Sequence, residues 1–227
     1  GETALDAAVT GGNNTAIGKN ALTANTSGVS NVAVGVETLD ATTTGSYNIA
    51  VGNSGLGDNI TGSSNTAIGQ GALAANTTAD NNTGVGRNAL VANTTGTQNT
   101  SVGANALDAN TTASNNTAVG YDALTANTTG AYNTAVGQGA LGAVTTGERN
   151  TAVGRAALLI NTGSQNTSVG FNSLLDNTSG QYNTAVGSRA LLGNTTADGN
   201  TAVGTDSLLS NTTGTQNTAV GANALDA

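Results

Sequence analysis

The stretch "NTAVGYDALTANTTGAY", Asn116–Tyr132, is followed at once by "NTAVGQGALGAVTTGER", Asn133–Arg149. The same phrase restarts at Asn14, Asn31, Asn48, Asn65, Asn82, Asn99, Asn116, Asn133, Asn150, Asn166, Asn183, Asn200 and Asn217. Every step is seventeen residues, except the sixteen from Asn150 to Asn166. A fixed period is the signature of a repeat architecture, in which each unit is stable only when it stacks on its neighbours. The sequence therefore predicts a single repeat domain over residues 1–227, and we expect it to be part of a longer protein or fibre.

The repeating unit reads N-T-A-V-G-x-x-A-L-x-A-N-T-T-G-x-x, and its places are numbered here as positions one to seventeen. Asn at position one, Gly at position five and Leu at position nine do not vary among the thirteen units, and position four is always Val or Ile. Thr and Val favour strands, Asn and Gly favour turns, and helical repeats generally need longer units. The pattern predicts an all-β fold, a parallel β-solenoid (β-roll or β-helix) of about thirteen 17-residue coils.

Two short strands are expected in each coil, at positions two to four and eight to eleven. Side chains alternate between the two faces of a strand, and position four is apolar throughout, so we expect positions two and four to point inward together with Leu at position nine. Asn side chains in successive coils are expected to stack and hydrogen-bond as a ladder. In two consecutive units this structural ladder comprises Asn116, Val119, Gly120, Leu124, Asn133, Val136, Gly137 and Leu141.

Position three should then point outward, yet it holds only Ala, Ser or Gly in every unit. Crowding beside the glycine corner is one explanation. Close packing against another chain is the other, and it makes this row a candidate assembly stripe, represented by Ala118, Ala135, Ala152, Ser168 and Ala185.

Composition argues against several classes of function. The chain has thirteen acidic and five basic residues, for a net charge of -8, and its scattered basic residues do not form the clusters that nucleic-acid binding requires. It has no His and no Cys, and its carboxylates fall at variable positions, so we predict no catalytic residue, no metal site and no cofactor. No apolar stretch is long enough to predict membrane insertion. The Asn-Thr-Thr triplets, as at Asn76, Asn93 and Asn127, are either turn residues or glycosylation sites.

The words "NTAVG", "NVAVG" and "NIAVG", each followed by two variable residues and, in most units, Ala-Leu, resemble the head repeats of trimeric autotransporter adhesins. They are also similar to Asn-Thr-Ala-x-Gly repeats of bacterial surface proteins of the tail-fibre type. The strand word of the adhesins is like "VAIG", which Val32-Ala33-Val34-Gly35 matches closely. The resemblance implies a parallel β-roll, homotrimeric assembly, and an extracellular location on a cell surface or a virion tail fibre.

These observations lead us to expect a non-enzymatic structural or adhesive fibre element of a bacterial cell surface or phage tail fibre. Its partner should be a second copy of itself, in a trimer or a head-to-tail filament, and a host surface or matrix molecule is a further candidate. An ice-binding solenoid with ladders of Thr is the alternative, and the expected inward direction of position two argues against it. An enzyme built on a β-helix is the third class, but such enzymes usually present aromatic platforms and clustered acids.

Overall fold

The structure is a computed structural model that describes residues 1–7 and 9–226. The chain divides into two compact units, Gly1–Asn115 and Asn116–Ala227, which are described one at a time. Both are built from short parallel strands joined by turns, and the described residues contain no helix. The predicted fold class, an all-β parallel solenoid with about 17 residues per turn, is confirmed.

Each coil contributes one three-residue strand from positions two to four. The first unit contains β1 (Thr15–Ile17), β2 (Val32–Val34), β3 (Ile49–Val51), β4 (Thr66–Ile68), β5 (Thr83–Val85) and β6 (Thr100–Val102). The second contains β7 (Thr117–Val119), β8 (Thr134–Val136), β9 (Thr151–Val153), β10 (Thr167–Val169), β11 (Thr184–Val186), β12 (Thr201–Val203) and β13 (Thr218–Val220). Within each unit, neighbouring strands pair in parallel with identical positions aligned, as Thr134 is with Thr151.

The sixteen-residue unit, 150–165, keeps the register of the strands around it. Thr151, Ala152 and Val153 of β9 pair with Thr167, Ser168 and Val169 of β10. The missing residue is absorbed in the return turn, where the Asn161 side chain both donates to the Gly163 carbonyl (2.8 Å) and accepts from the Gly163 backbone N–H (3.2 Å). The expectation that this turn would take up the deletion is confirmed.

The predicted facing of the strands is wrong. Position three is buried in every strand except β1, where Ala16 is half-buried, and positions two and four point outward. Val119 and Val136 therefore lie on the surface and not in the interior. The candidate assembly stripe is also wrong, because all its members have 0 % exposed surface: Ala118, Ala135, Ala152, Ser168 and Ala185. These residues are small because the interior of a narrow coil leaves no room beyond a methyl or hydroxymethyl group.

Leu at position nine is buried as predicted, and Leu124 and Leu141 have 0 % exposed surface. The second strand expected around it is absent, since this side of the coil is built from turns. The backbone at positions seven and nine is left-handed, for example at Asn88 (φ 57°) and Leu90 (φ 55°). Asn88 N–H donates to the preceding coil at Gln70 (2.9 Å), and Leu90 N–H donates to the following coil at Ala106 (3.0 Å). Alternating turns thus direct backbone N–H groups to the carbonyls of both the preceding and the following coil, without forming a strand.

Candidate functional surface on the strands

The asparagine at position one joins consecutive coils from the inside. Asn133 has 0 % exposed surface, and its Oδ1 accepts a hydrogen bond from the backbone N–H of Asn150 in the next coil (2.9 Å). Its Nδ2 donates to the carbonyl of Gly147 at the end of its own coil (2.8 Å). Asn116 donates in the same way to Gly130 (2.9 Å). The predicted role of Asn116 and Asn133 in a structural ladder agrees with these bonds.

A second ladder runs along position twelve. Asn93 Nδ2 donates to Asn76 Oδ1 in the preceding coil (3.1 Å) and to the carbonyl of Gly96 in its own turn (2.9 Å). Asn82, from position one, donates to the same Gly96 carbonyl (2.8 Å). Because Asn76, Asn93 and Asn127 all have 0 % exposed surface, the Asn-Thr-Thr triplets serve the turn, and the folded chain does not present these amides for glycosylation.

The position-twelve ladder is interrupted by Thr42 in the first unit and by Val144 in the second, both buried. Thr42 Oγ1 donates to the backbone carbonyl of Asn59 (2.9 Å) and accepts from its Nδ2 (3.3 Å). It does not reach the preceding coil, so the buried Asn25 Oδ1 has no hydrogen-bond partner.

The outward face of the strands is most regular in the second unit, where position two is always Thr and position four is always Val. We call this surface the Thr/Val face. It consists of Thr117, Thr134, Thr151, Thr167, Thr184, Thr201 and Thr218 beside Val119, Val136, Val153, Val169, Val186, Val203 and Val220. Val136, Val153, Val169, Val186 and Val203 are 36–38 % exposed, so consecutive coils present almost the same surface.

Hydrogen bonding distinguishes the Thr residues of this face from those of the return turn. At position thirteen, hydroxyl groups donate to the backbone of the next coil, as Thr178 does to Thr195 (2.9 Å) and Thr195 to Thr212 (3.1 Å). The position-two hydroxyl groups of the Thr/Val face make no hydrogen bond within the described part of the chain. They are therefore available to solvent or to a ligand.

No charged side chain belongs to this face. Every Asp, Glu, Lys and Arg occupies position six, seven, ten, eleven, sixteen or seventeen. Arg189 forms an ion pair with Asp206 at the same position of the next coil (2.6 Å), and Arg149 pairs with its sequence neighbour Glu148 (3.2 Å). In the first unit, burial raises the pKa of the Asp40 carboxyl, and the negative charges of Glu37 and Asp58 raise this pKa further. This shift follows from the crowding of Asp40 by its own coil and by two neighbouring acids.

The aromatic residues flank the strands. Tyr47, Tyr132 and Tyr182 occupy position seventeen, just before a strand, and Tyr121 and Phe171 occupy position six, just after the glycine corner. All five are exposed. Two of them carry an arginine over the ring at 5.5 Å: Arg149, from the following coil, lies over Tyr132, and Arg155, from the preceding coil, lies over Phe171. Such contacts stabilise stacking between exposed side chains by roughly 0.5–1 kcal/mol.

The part of the chain that the structure describes contains neither a cavity nor a group of three or more His, Cys, Asp or Glu side chains suited to a metal ion. The described residues also include no helix with the length and apolarity needed to cross a membrane. Comparison with family models, with curated proteins and with solved structures gives no match.

Sequence reasoning missed the Thr/Val face, although a signal for it was present. Position two exchanges Thr for Val32 or Ile49, and position four exchanges Val for Ile17 or Ile68, whereas position three accepts nothing larger than Ser. Tolerance of different sizes is typical of a surface, and a strict limit on size is typical of a packed interior. The range of side-chain sizes at each position, taken before hydrophobicity, would have placed position three inside and positions two and four outside.

Proposed function

We propose that the chain is a non-enzymatic structural element of an extracellular fibre, displayed on a bacterial cell surface or in a phage tail fibre. One observation carries the proposal: every position that is identical in all units serves the coil stack. Asn at position one bonds to the next coil, as Asn133 does. Gly at position five forms the corner, as Gly137 does, and Leu at position nine fills the interior, as Leu141 does. The repeated residues thus maintain the stack of coils within each unit, and the charged and aromatic residues occupy other, variable positions.

The resemblance to adhesin head repeats and tail-fibre repeats supports display at a surface. Self-association as a trimer or a head-to-tail filament belongs to the same proposal, since a coil can be extended by another parallel strand. A host surface or matrix molecule would meet the exposed residues at the variable positions, among them Tyr132 and Tyr182. With buried Ala at position three, the association surface must be sought at the ends of the stack or on its outward faces.

Immunogold labelling tests the location. Antibodies against the purified chain should label the outer surface of intact producing cells, or the tail fibres of released virions, in thin section and negative stain. Light scattering of the purified chain should give a mass of three chains or a larger, concentration-dependent one. Label confined to the cell interior would contradict surface display, and a monomer at all concentrations would contradict self-association.

The second candidate function is ice binding, and one specific observation favours it. The reason against it was the expected inward direction of position two, but the structure turns this Thr outward, beside Val at position four. Both residues repeat once per coil on one face, which is the arrangement that an ice-binding solenoid would need.

A further inference from the structure

We propose that the Thr/Val face of the second unit, the outward surface of β7–β13, is the ice-binding surface of this protein. The ligand is ordered water at the surface of an ice crystal. The inference rests on the second candidate function, ice binding, and is independent of the fibre proposal. It goes further by assigning the site to one face of one unit and by assigning separate roles to its two rows.

The face is a regular two-dimensional array. Successive strands of the second unit align Thr with Thr and Val with Val, as between β8 and β9 and between β11 and β12. Parallel strands lie about 4.8 Å apart, and alternate residues of one strand are separated by roughly 6.6 Å. Hydroxyl and methyl groups therefore recur at fixed spacings in both directions over seven coils. A crystal surface is periodic in two directions, so the same contact can be repeated at each coil.

The chemistry of the two rows suits water. The Thr hydroxyl groups make no internal hydrogen bond, so each can donate to and accept from a water molecule. The Val methyl groups cannot form hydrogen bonds, so the water molecules beside them bond to other water molecules, which restricts the orientation of those molecules. One row anchors water and the other arranges it. The Thr hydroxyl groups at position thirteen cannot do the same, because they are bound to backbone carbonyls.

The distribution of charge points in the same direction. No charged residue occupies position two, three or four in any unit, although the chain carries eighteen charged residues. A charged group would orient nearby water around itself and would break the array. The first unit shares the absence of charge but has a less regular face, since Val32 and Ile49 replace Thr in β2 and β3. This difference is why the site is assigned to the second unit.

A protein partner fits the face less well. Seven strands of three residues cover on the order of 300 Å². A stable protein interface buries about 800 Å² on each partner and is anchored by large side chains in pockets. The Thr/Val face offers only short side chains and no pocket, so a second copy of the chain would gain little specific contact there.

Thermal hysteresis of the full chain, the gap between its melting and freezing points, is the measurement that tests the proposal. The test variant is Thr151→Lys with Thr184→Lys, which places two charges two coils apart on the Thr/Val face. One control is Thr66→Lys with Thr100→Lys, at the same position and spacing in the first unit. The other is Thr129→Lys with Thr196→Lys, at exposed return-turn positions of the second unit. Circular dichroism checks that each variant is folded. If the Thr151→Lys, Thr184→Lys variant is not, Thr151→Val with Thr184→Val replaces it, since the chain itself uses Val at position two in Val32.

We expect the unmodified chain to lower the freezing point and to shape ice crystals, the 151/184 pair to lose most of this gap, and both controls to keep it. A chain without hysteresis or ice shaping would overturn ice binding altogether, and with it this site. Hysteresis that survives in the 151/184 pair, or that is lost equally in either control, would leave ice binding standing and overturn the assignment to this face. Neither result bears on surface display, which the immunogold experiment decides.

Discussion

Glycine at position five allows each coil to turn its corner without touching the next. Gly137 has φ +134°, and a Cβ placed there would lie 2.5 Å from the carbonyl oxygen of Gly154 and 2.6 Å from its carbon. Both neighbours are backbone atoms held by hydrogen bonds, so they cannot move aside cheaply. We predict that Gly137→Ala lowers the free energy of unfolding by about 3 kcal/mol or more, because left-handed strain adds to the collision.

The matched control for this variant is in the same coil. Gly139, at position seven, has φ +65°, and a Cβ there would meet only the Leu159 Cδ1 atom, at 3.7 Å. Other units place Asn in the same left-handed conformation, as at Asn88 (φ 57°). Gly139→Asn should therefore change stability in urea by less than about 0.5 kcal/mol. Equal losses in the two variants would show that backbone crowding is not what requires glycine at position five.

The gap in the position-twelve ladder gives a second prediction at this scale. Asn25 Oδ1 is buried without a hydrogen-bond partner because Thr42 stands where most other units have Asn. We predict that Thr42→Asn raises the free energy of unfolding by about 1 kcal/mol, since its amide would donate to Asn25 as Asn93 does to Asn76. The exposed Thr44→Asn is the control and should be nearly neutral in the same urea titration. No gain in Thr42→Asn would mean that the ladder does not contribute net stability.

At the scale of the element, the facing of a three-residue strand decides which of its residues the fold depends on. Leu141 and Ala135 are fully buried, whereas Val136 is 36 % exposed. We predict that Leu141→Ala costs about 2–5 kcal/mol and Ala135→Val about 1–3 kcal/mol, the first by leaving a cavity and the second by overfilling the coil. Val136→Thr should cost less than about 1 kcal/mol. Calorimetric unfolding of the three variants measures this order, and a loss in Val136→Thr comparable to that in Leu141→Ala would contradict it.

The same element shows how far sequence reasoning reaches. The period, the short strand at positions two to four, the glycine corner and the inward Leu all followed from local residue preferences and from repetition. Which side chains of the strand point inward did not follow in this way. Alternation of side chains along a strand allows two opposite assignments, and the apolar Val at position four favoured the wrong one. The interior is filled by Leu and by two buried Asn ladders, as at Asn133 and Asn93, and so has room only for Ala beside them. The free Thr hydroxyl groups could not be recognised until that choice was corrected.

At the scale of the whole molecule, we expect stability to depend less on the number of residues than on the phase of the repeat, that is, on whether identical positions of successive coils stay aligned. Within the second unit, neighbouring coils contact each other through the same aligned positions, so removal of one full period should let the next coil take its place. Deletion of residues 134–150 joins Asn133 to Thr151 and preserves the phrase "NTAVG". We predict that this shortened chain folds, with strand-like circular dichroism and slow amide exchange in β7 and β10.

Deletion of residues 134–142 removes only half a coil and leaves the fragment 143–149 between Asn133 and the complete phrase that begins at Asn150. That fragment has neither a strand nor a position-nine Leu, and the Asn133 side chain would no longer find the Gly147 carbonyl fourteen residues further along the chain. Although fewer residues are lost, we predict faster amide exchange in β7 and β10 and a lower unfolding temperature than in the full-coil deletion. If both deletions lost protection equally, length and not phase would set the stability, and the coil would not be the unit in which this molecule is built.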